Sequence, residues 1–179
     1  MALIHDLNTR KTMKNAFRIT KNKYMTAVRI RIPGGSIRTD TLKLVADLAD
    51  KYGDGRVHVT TRQGFEVLGI PMERMDEVNE ALQPIIDNMG TNQNHKGNGY
   101  PSAGTRNITS CIGNNICPKA QYNTTELARK IEDMVYPDDL HVKIAATGCP
   151  NDCIFCNQRS ISGPVSYTHL RAHETPEHL

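Results

Sequence analysis

From Ala27, Val28, Ile30 and Ile32 alternate with Arg29 and Arg31. This period of two predicts a half-buried strand with an arginine face, stopped by Pro33-Gly34-Gly35. Both arginines are expected to point the same way. Leu42, Val45, Ala46 and Ala49 follow at helical spacing, entered through Thr39-Asp40 and closed by Gly53 and Gly55. Arg56 to Thr61 alternates again, with Val57 and Val59 on one face and Arg56, His58 and Thr60 on the other, and Arg62 extends the polar face. A further strand is predicted over Phe65 to Ile70, and Pro71 then opens a helix marked by Met75, Val78, Leu82, Ile85, Ile86 and Met89. Met72, Met75 and Met89 read as core fillers. Residues 1–24 are polar and basic without a strong period and read as an arm or short helix. The stretch from Asp87 to Gly104 turns to Asn, Gly, Lys, Gln and Ser, too long for a mere connector. Beyond it, Asn123 caps a helix with Glu126 three residues on, and Leu127, Ala128, Ile131, Met134 and Val135 give that helix its apolar side. Leu140, Val142, Ile144 and Ala146 then alternate with His141, Lys143 and Thr147 in a strand running into Cys149.

The order β-α-β-β-α over residues 25–90 resembles a ferredoxin-like half-domain, an α+β sandwich with one sheet face on helices and the other free for a ligand. Residues 1–24 form its arm, 91–103 a linker loop, and 104–163 a second segment that carries the chemistry. The last stretch, 164–179, has neither apolar periodicity nor a link to the preceding motifs, and reads as a foreign or truncated end.

Composition narrows the class without naming it. With 179 residues and 38% hydrophobic content, the chain has room for one sizeable core or two small ones. No apolar run reaches membrane-spanning length, and Met1-Ala2-Leu3-Ile4-His5-Asp6 is too polar for a signal peptide, so the cytoplasm is the expected location. A net charge of +3 is too small to imply nucleic acid. The basic residues matter by position, because Arg29, Arg31, Arg62, Arg106 and Lys143 sit in or beside apolar segments, where a buried charge needs an anionic partner. Arg29 reads as a solvated residue of the open sheet face, and a ligand role for His58 is disfavoured.

Four of the five cysteines fall into two pairs, Cys111 with Cys117 and Cys149 with Cys153. Five residues separate the first pair, 31 lie between the pairs and three separate the second, so two distant loops must meet to offer four thiolates. Soft ligands in fours point to an iron–sulfur cluster or to zinc, and the five-residue gap favours iron–sulfur. Cys149, Cys153 and Cys156 also spell the three-then-two spacing of radical S-adenosylmethionine enzymes, but that reading leaves Cys111 and Cys117 unexplained. Another reading is a non-catalytic electron carrier or zinc-stapled module, which has no use for converging arginines.

Arg31-Ile32-Pro33-Gly34-Gly35, Thr60-Thr61-Arg62-Gln63, Arg106-Asn107 and the cysteine pairs ending in Gly148-Cys149-Pro150-Asn151-Asp152-Cys153 together resemble the sirohaem and [4Fe-4S] sulfite and nitrite reductases, most of all the C subunits of anaerobic, dissimilatory-type sulfite reductases. The likeness runs from roughly Lys11 to Cys153. It implies an α+β fold, a ferredoxin-like half-domain followed by part of a sirohaem/[4Fe-4S] reductase domain, and an oxidoreductase that reduces sulfite to sulfide with six electrons; nitrite is the alternative substrate. It implies that Cys111, Cys117, Cys149 and Cys153 hold the cluster and that Cys153 is shared with the sirohaem iron. Arg31, Arg106 and Lys143 match residues around the substrate anion, and His141 stands where many relatives have a second lysine. Arg62, with Thr60, Gln63 and Asn107, matches the segment holding the sirohaem carboxylates. Electrons are expected from partner subunits or a ferredoxin, since no glycine-rich dinucleotide fingerprint is present. Related chains continue well past this one, so it reads as an incomplete subunit, poorly soluble in isolation.

Overall fold

The computed structural model describes residues 17–22, 24–91, 105–136 and 142–149. Four strands, β1 (Phe17–Ile19), β2 (Met25–Ile30), β3 (Val57–Val59) and β4 (Phe65–Pro71), form an antiparallel sheet in the order β1-β2-β4-β3. Val28 stands opposite both Phe17 and Val67 across the central ladders, and Ile30 opposite Phe65. The period-two pattern therefore places Val28, Ile30 and Val67 on one face, where all three are buried.

Helix α1 (Thr39–Tyr52) covers that face with Val45, Leu48, Ala49 and Tyr52, a stripe at helical spacing. Each large apolar side chain so enclosed contributes about 1.5–3 kcal/mol of burial free energy. The helix stops where expected, at Gly53, whose N–H caps the Ala49 carbonyl. Leu42 and Ala46, expected on the apolar side, instead face outward; the sheet meets the stripe one step round the helix, through Thr41, Val45 and Leu48. The single helix expected after Pro71 is a turn (Met72–Arg74) followed by α2 (Met75–Ala81) and α3 (Gln83–Met89). Pro84, in the first turn of α3, has no N–H to continue the ladder, so the chain restarts its helix there.

Two further expectations change at the sheet. Phe17–Ile19, assigned to the arm, is a strand paired with β2, and Phe17 is buried against it. Val59, expected on the core face with Val57, is 65% exposed, at the end of a three-residue strand on the edge of the sheet.

The second segment is a small parallel unit. β5 (Thr109–Ser110) pairs with β6 (Ala145–Ala146), and α4 (Thr124–Val135) connects them. Asn123 caps α4 by accepting the Glu126 N–H at 3.1 Å, as the sequence predicts. Its most buried face, however, is Thr124, Ala128 and Glu132, while Met134 is 83% exposed and Leu127, Ile131 and Val135 are half-buried. Among the described residues, the expected strand before Cys149 is limited to Ala145–Ala146; Leu140 and His141 lie outside them. Glycine is required at Gly34 (φ 77°), where a Cβ would stand 3.0 Å from Thr125 Cα under α4. Among the described residues, no helix is long and apolar enough to cross a membrane.

Candidate functional site

β5 runs directly into Cys111, and Cys149 follows β6 after Thr147-Gly148. Because the pair is parallel, both cysteine loops leave it at the same end. The Cys111 N–H donates to the Ala146 carbonyl at 3.1 Å, the Gly148 N–H donates to Cys111 Sγ at 3.2 Å, and the Cys117 N–H donates to the Gly113 carbonyl at 2.9 Å. The Thr124 hydroxyl donates to the Cys111 carbonyl at 2.6 Å, and its oxygen lies 3.6 Å from the sulfur. Burial alone would raise the Cys111 thiol, but the Thr124 hydroxyl and the Gly113 and Gly148 N–H groups outweigh it and bring it below the usual thiol range. A sulfur that accepts from backbone N–H groups in this way is prepared to be a thiolate, the form that ligates metal.

Cys111, Cys117 and Cys149 are free, partly buried thiols on loops that meet. Among the described residues, no three His, Cys, Asp or Glu side chains already stand as a metal-holding group. The donor chemistry nevertheless fits a soft-ligand cluster: thiols on two converging loops, one already cradled by backbone N–H groups. Cys153, Cys156 and His141 lie outside the described residues.

A concentration of guanidinium groups lies in and beside the seam between the sheet and this unit. Arg31 forms a two-pronged ion pair with Glu132, Nε to Oε1 at 2.5 Å and Nη2 to Oε2 at 2.7 Å, while Nη1 donates to the Thr105 carbonyl at 2.6 Å. Its carbon plane lies 3.9 Å from the centre of the Tyr136 ring. Arg62 donates from Nε and Nη2 to the Asn107 carbonyl, at 3.0 and 2.8 Å, and from Nη2 to the Ile144 carbonyl at 3.0 Å. Burial, and then the neighbouring Arg31 and Arg106 charges, lower its pKa to about 10. Burial likewise lowers Arg106, with Arg29, Arg31 and Arg18 adding repulsion.

On the sheet, Arg18 and Arg29 converge on Glu66 at 2.9 and 2.5 Å. Burial pushes Glu66 upward, but the two arginines hold it below the usual carboxylate range. Arg29, expected to be a solvated residue, is thus half of a cross-strand ion pair. Five guanidiniums and two carboxylates leave a net positive field. Among the described residues, Arg62, Arg106 and Lys143 have no carboxylate partner, and such a field calls for an anion.

Like Arg62, the three other residues expected to hold cofactor carboxylates bind backbone in this structure. Thr60 Oγ1 accepts the Gly64 N–H at 3.0 Å and closes the turn before β4. The Gln63 amide accepts from the Ser110 N–H at 2.9 Å and donates to the Ser110 carbonyl at 2.8 Å. The Asn107 amide accepts from the Ile32 N–H at 2.8 Å and donates to the Ile32 and Arg62 carbonyls at 3.1 and 2.6 Å. Arg31 is likewise committed to Glu132 and the Thr105 carbonyl rather than left open to a ligand. For Arg31, Gln63 and Asn107 the physical reason is shared: each lies at the seam, where unpaired backbone groups of two short segments must find partners, whereas Thr60 serves its own turn.

Sequence reasoning missed Glu66, Glu132, Thr124 and Arg18. Only Glu132 left a signal, an acidic residue at the Thr124-Ala128 spacing on an otherwise amphipathic helix. A cleft of about 860 Å³ opens beside the cysteine loop, lined in part by Gly34, Gly35, Gln63, Ser110, Cys111 and Arg129.

Comparison with known proteins agrees with this geometry. Residues 18–85 match the nitrite/sulfite reductase ferredoxin-like half domain, and residues 102–160 match the nitrite and sulphite reductase 4Fe-4S domain. The chain is 40% identical over 145 residues to the C subunit of the anaerobic sulfite reductase of Salmonella typhimurium, an alignment covering 78% of this chain and 43% of that one. It is 33% identical over 128 residues to the assimilatory ferredoxin-dependent nitrite reductase of Haloferax mediterranei, covering 68% of this chain and 20% of that one. The fold is shared with the crystal structure of dissimilatory sulfite reductase I, at a TM-score of 0.56 and 22% identity over 73% of this chain and 30% of that one. The chain thus spans less than half the length of these relatives. With two family domains matched in order across most of its length, the chain belongs to the nitrite and sulfite reductase family, as a ferredoxin-like half-domain joined to a 4Fe-4S domain.

Proposed function

We propose that this chain is part of a sirohaem- and [4Fe-4S]-dependent sulfite reductase that reduces sulfite to sulfide with six electrons. The observation that carries this reading is the juxtaposition of a guanidinium cluster in carboxylate deficit with a prepared thiol loop, in a chain similar to the C subunit of an anaerobic sulfite reductase. In this reading, Cys111, Cys117, Cys149 and Cys153 hold the cluster. When bound, the sirohaem supplies the iron at which the sulfur oxyanion is held and the path by which electrons reach it.

The chain's own residues bind and orient. Arg62 and Arg106 supply the positive charge that a many-carboxylate macrocycle and an oxyanion require. Arg106 supplies positive charge and hydrogen bonds to the anion, and Lys143 and His141 are the groups that deliver protons to the oxygens that leave as water. Arg31, anchored on Glu132 and the Thr105 carbonyl, adds its field and keeps two N–H groups unassigned to those partners. Thr60, Gln63 and Asn107 support the segment from behind rather than touching the cofactor. Electrons come from partner subunits or a ferredoxin.

Nitrite is the second substrate to test, because the Haloferax mediterranei relative is a nitrite reductase. The test is the visible spectrum of protein purified without oxygen, made with sirohaem synthesis supplied and followed as sulfite or nitrite is added. A haem spectrum that shifts with sulfite, and shifts less in Arg106→Gln, is expected. A cluster spectrum indifferent to both anions would overturn the reductase reading in favour of an electron carrier, and a colourless protein containing zinc would remove the cluster as well.

A further inference from the structure

Gln63 is the one non-glycine residue with positive φ among the described residues, at φ 61°. A left-handed backbone at an ordinary side chain is uncommon and persists where surrounding contacts over-determine it. What holds Gln63 there is its own amide. The side chain leaves the half-domain, crosses the seam and pairs with both backbone groups of Ser110, accepting at 2.9 Å and donating at 2.8 Å, as a neighbouring strand residue would. Gly35 makes room for it, since a Cβ there would stand 2.8 Å from the Gln63 side chain.

Ser110 ends β5 and immediately precedes Cys111. On its other side β5 pairs with the two-residue β6, and the Thr109 N–H donates to the Ile144 carbonyl at 3.2 Å. The Ser110 hydroxyl lies within donating distance of the Gly34 and Cys111 carbonyls, at 3.2 and 3.0 Å, and its one hydrogen serves either. Asn107 makes the same kind of contact in the opposite direction, from the cysteine segment onto Ile32. The two amides are reciprocal, but only that of Gln63 binds the residue that adjoins a cysteine.

We infer that Gln63 is a positioning residue for the cluster: its amide, paired across the seam with Ser110, fixes the peptide that aims Cys111 Sγ. This rests on the reading of Cys111 as a cluster ligand. Losing a hydrogen-bonding partner that orients a metal ligand costs about 10- to 100-fold in metal retention. Gln63→Glu keeps length and acceptor but sets an oxygen against the Ser110 carbonyl. Gln63→Met removes both bonds without adding charge, and decides the matter should the first variant not accumulate.

The experiment reconstitutes the cluster anaerobically in the full chain. It then measures the rate of iron loss to a chelator and the electron paramagnetic resonance signal of the reduced cluster, with Val45→Ala as a control that opens a cavity in the half-domain core. The expected result is iron loss at least about tenfold faster and a displaced signal in the Gln63 variants, with the signal unchanged in Val45→Ala despite a lower melting temperature. Gln63 variants that keep the wild-type signal and iron retention would overturn the inference while leaving the cluster reading standing. A wild-type chain that takes up no cluster would overturn both.

Discussion

Replacing Glu132 with alanine removes one partner of an ion pair that has almost no contact with water: the side chains of Arg31 and Glu132 are 10% and 1% exposed. Solvent screening is therefore weak, and the guanidinium left behind retains one carbonyl contact and the Tyr136 ring while losing both carboxylate bonds. Breaking a buried pair in this way costs about 3–5 kcal/mol, mostly the penalty of a stranded charge. In a domain of this size, 1 kcal/mol shifts the midpoint by about 2–4 °C, so Glu132→Ala is expected to melt roughly 6–20 °C below the parent. The assay is thermal and urea unfolding of the full chain, followed by circular dichroism. The double variant Arg31→Met/Glu132→Leu is the deciding companion, because it removes both charges and should recover most of the loss. A Glu132→Ala protein within about 1 kcal/mol of the parent, a value typical of exposed pairs, would refute the view that this pair is desolvated and closes the seam.

Three further outcomes are expected. Glu66 is held below its ordinary value by Arg29 and Arg18 against the opposing effect of burial, so its stabilisation is present above about pH 4.5 and lost as pH falls through the folded value; Glu66→Gln should flatten the acid limb of a melting-temperature profile, and an unchanged limb would contradict it. Cys111 should be alkylated in the metal-free chain with a pH midpoint below 9.0, rising in Thr124→Val, and peptide mapping by mass spectrometry would show whether it instead titrates at or above that value. Sulfite or sulfate should raise the melting temperature beyond a chloride control of equal ionic strength, and Arg106→Gln should weaken the effect; equal shifts in both salts would argue against an anion site.

The elements with strong periodicity were legible in the sequence: β2, α1, β4 and the Asn123 cap follow from alternation, helical spacing and side-chain chemistry. What escaped depended on pairing between distant segments. Phe17–Ile19 is too short to carry a period and is a strand only because β2 offers it an edge. Glu132 looked like the polar side of an amphipathic helix, and its burial follows from Arg31, 101 positions away. The arginines and cysteines were recognisable as a set, but their hydrogen-bond partners were not: alternation says which way Arg31 faces, and nothing local says that a carboxylate waits there. Likewise Gln63 and Asn107 stood out by position, yet their amides satisfy backbone across the seam, a role that composition does not encode.

The pairing of β5 with β6 constrains the order of events when the protein is made. Two strands of two residues each have too few hydrogen bonds to stand alone, and a parallel pair forms only after the intervening helix has crossed over. In the nascent chain, Cys111 and Cys149 are therefore separate thiols with no shared destination. A metal that arrives early meets thiols on unconnected segments, and one that arrives late meets two loops already set side by side by the β5–β6 pair. Under the proposed reading of these cysteines as cluster ligands, cluster insertion is a checkpoint on folding, and the free energy of metal binding is collected as stability of this two-stranded sheet.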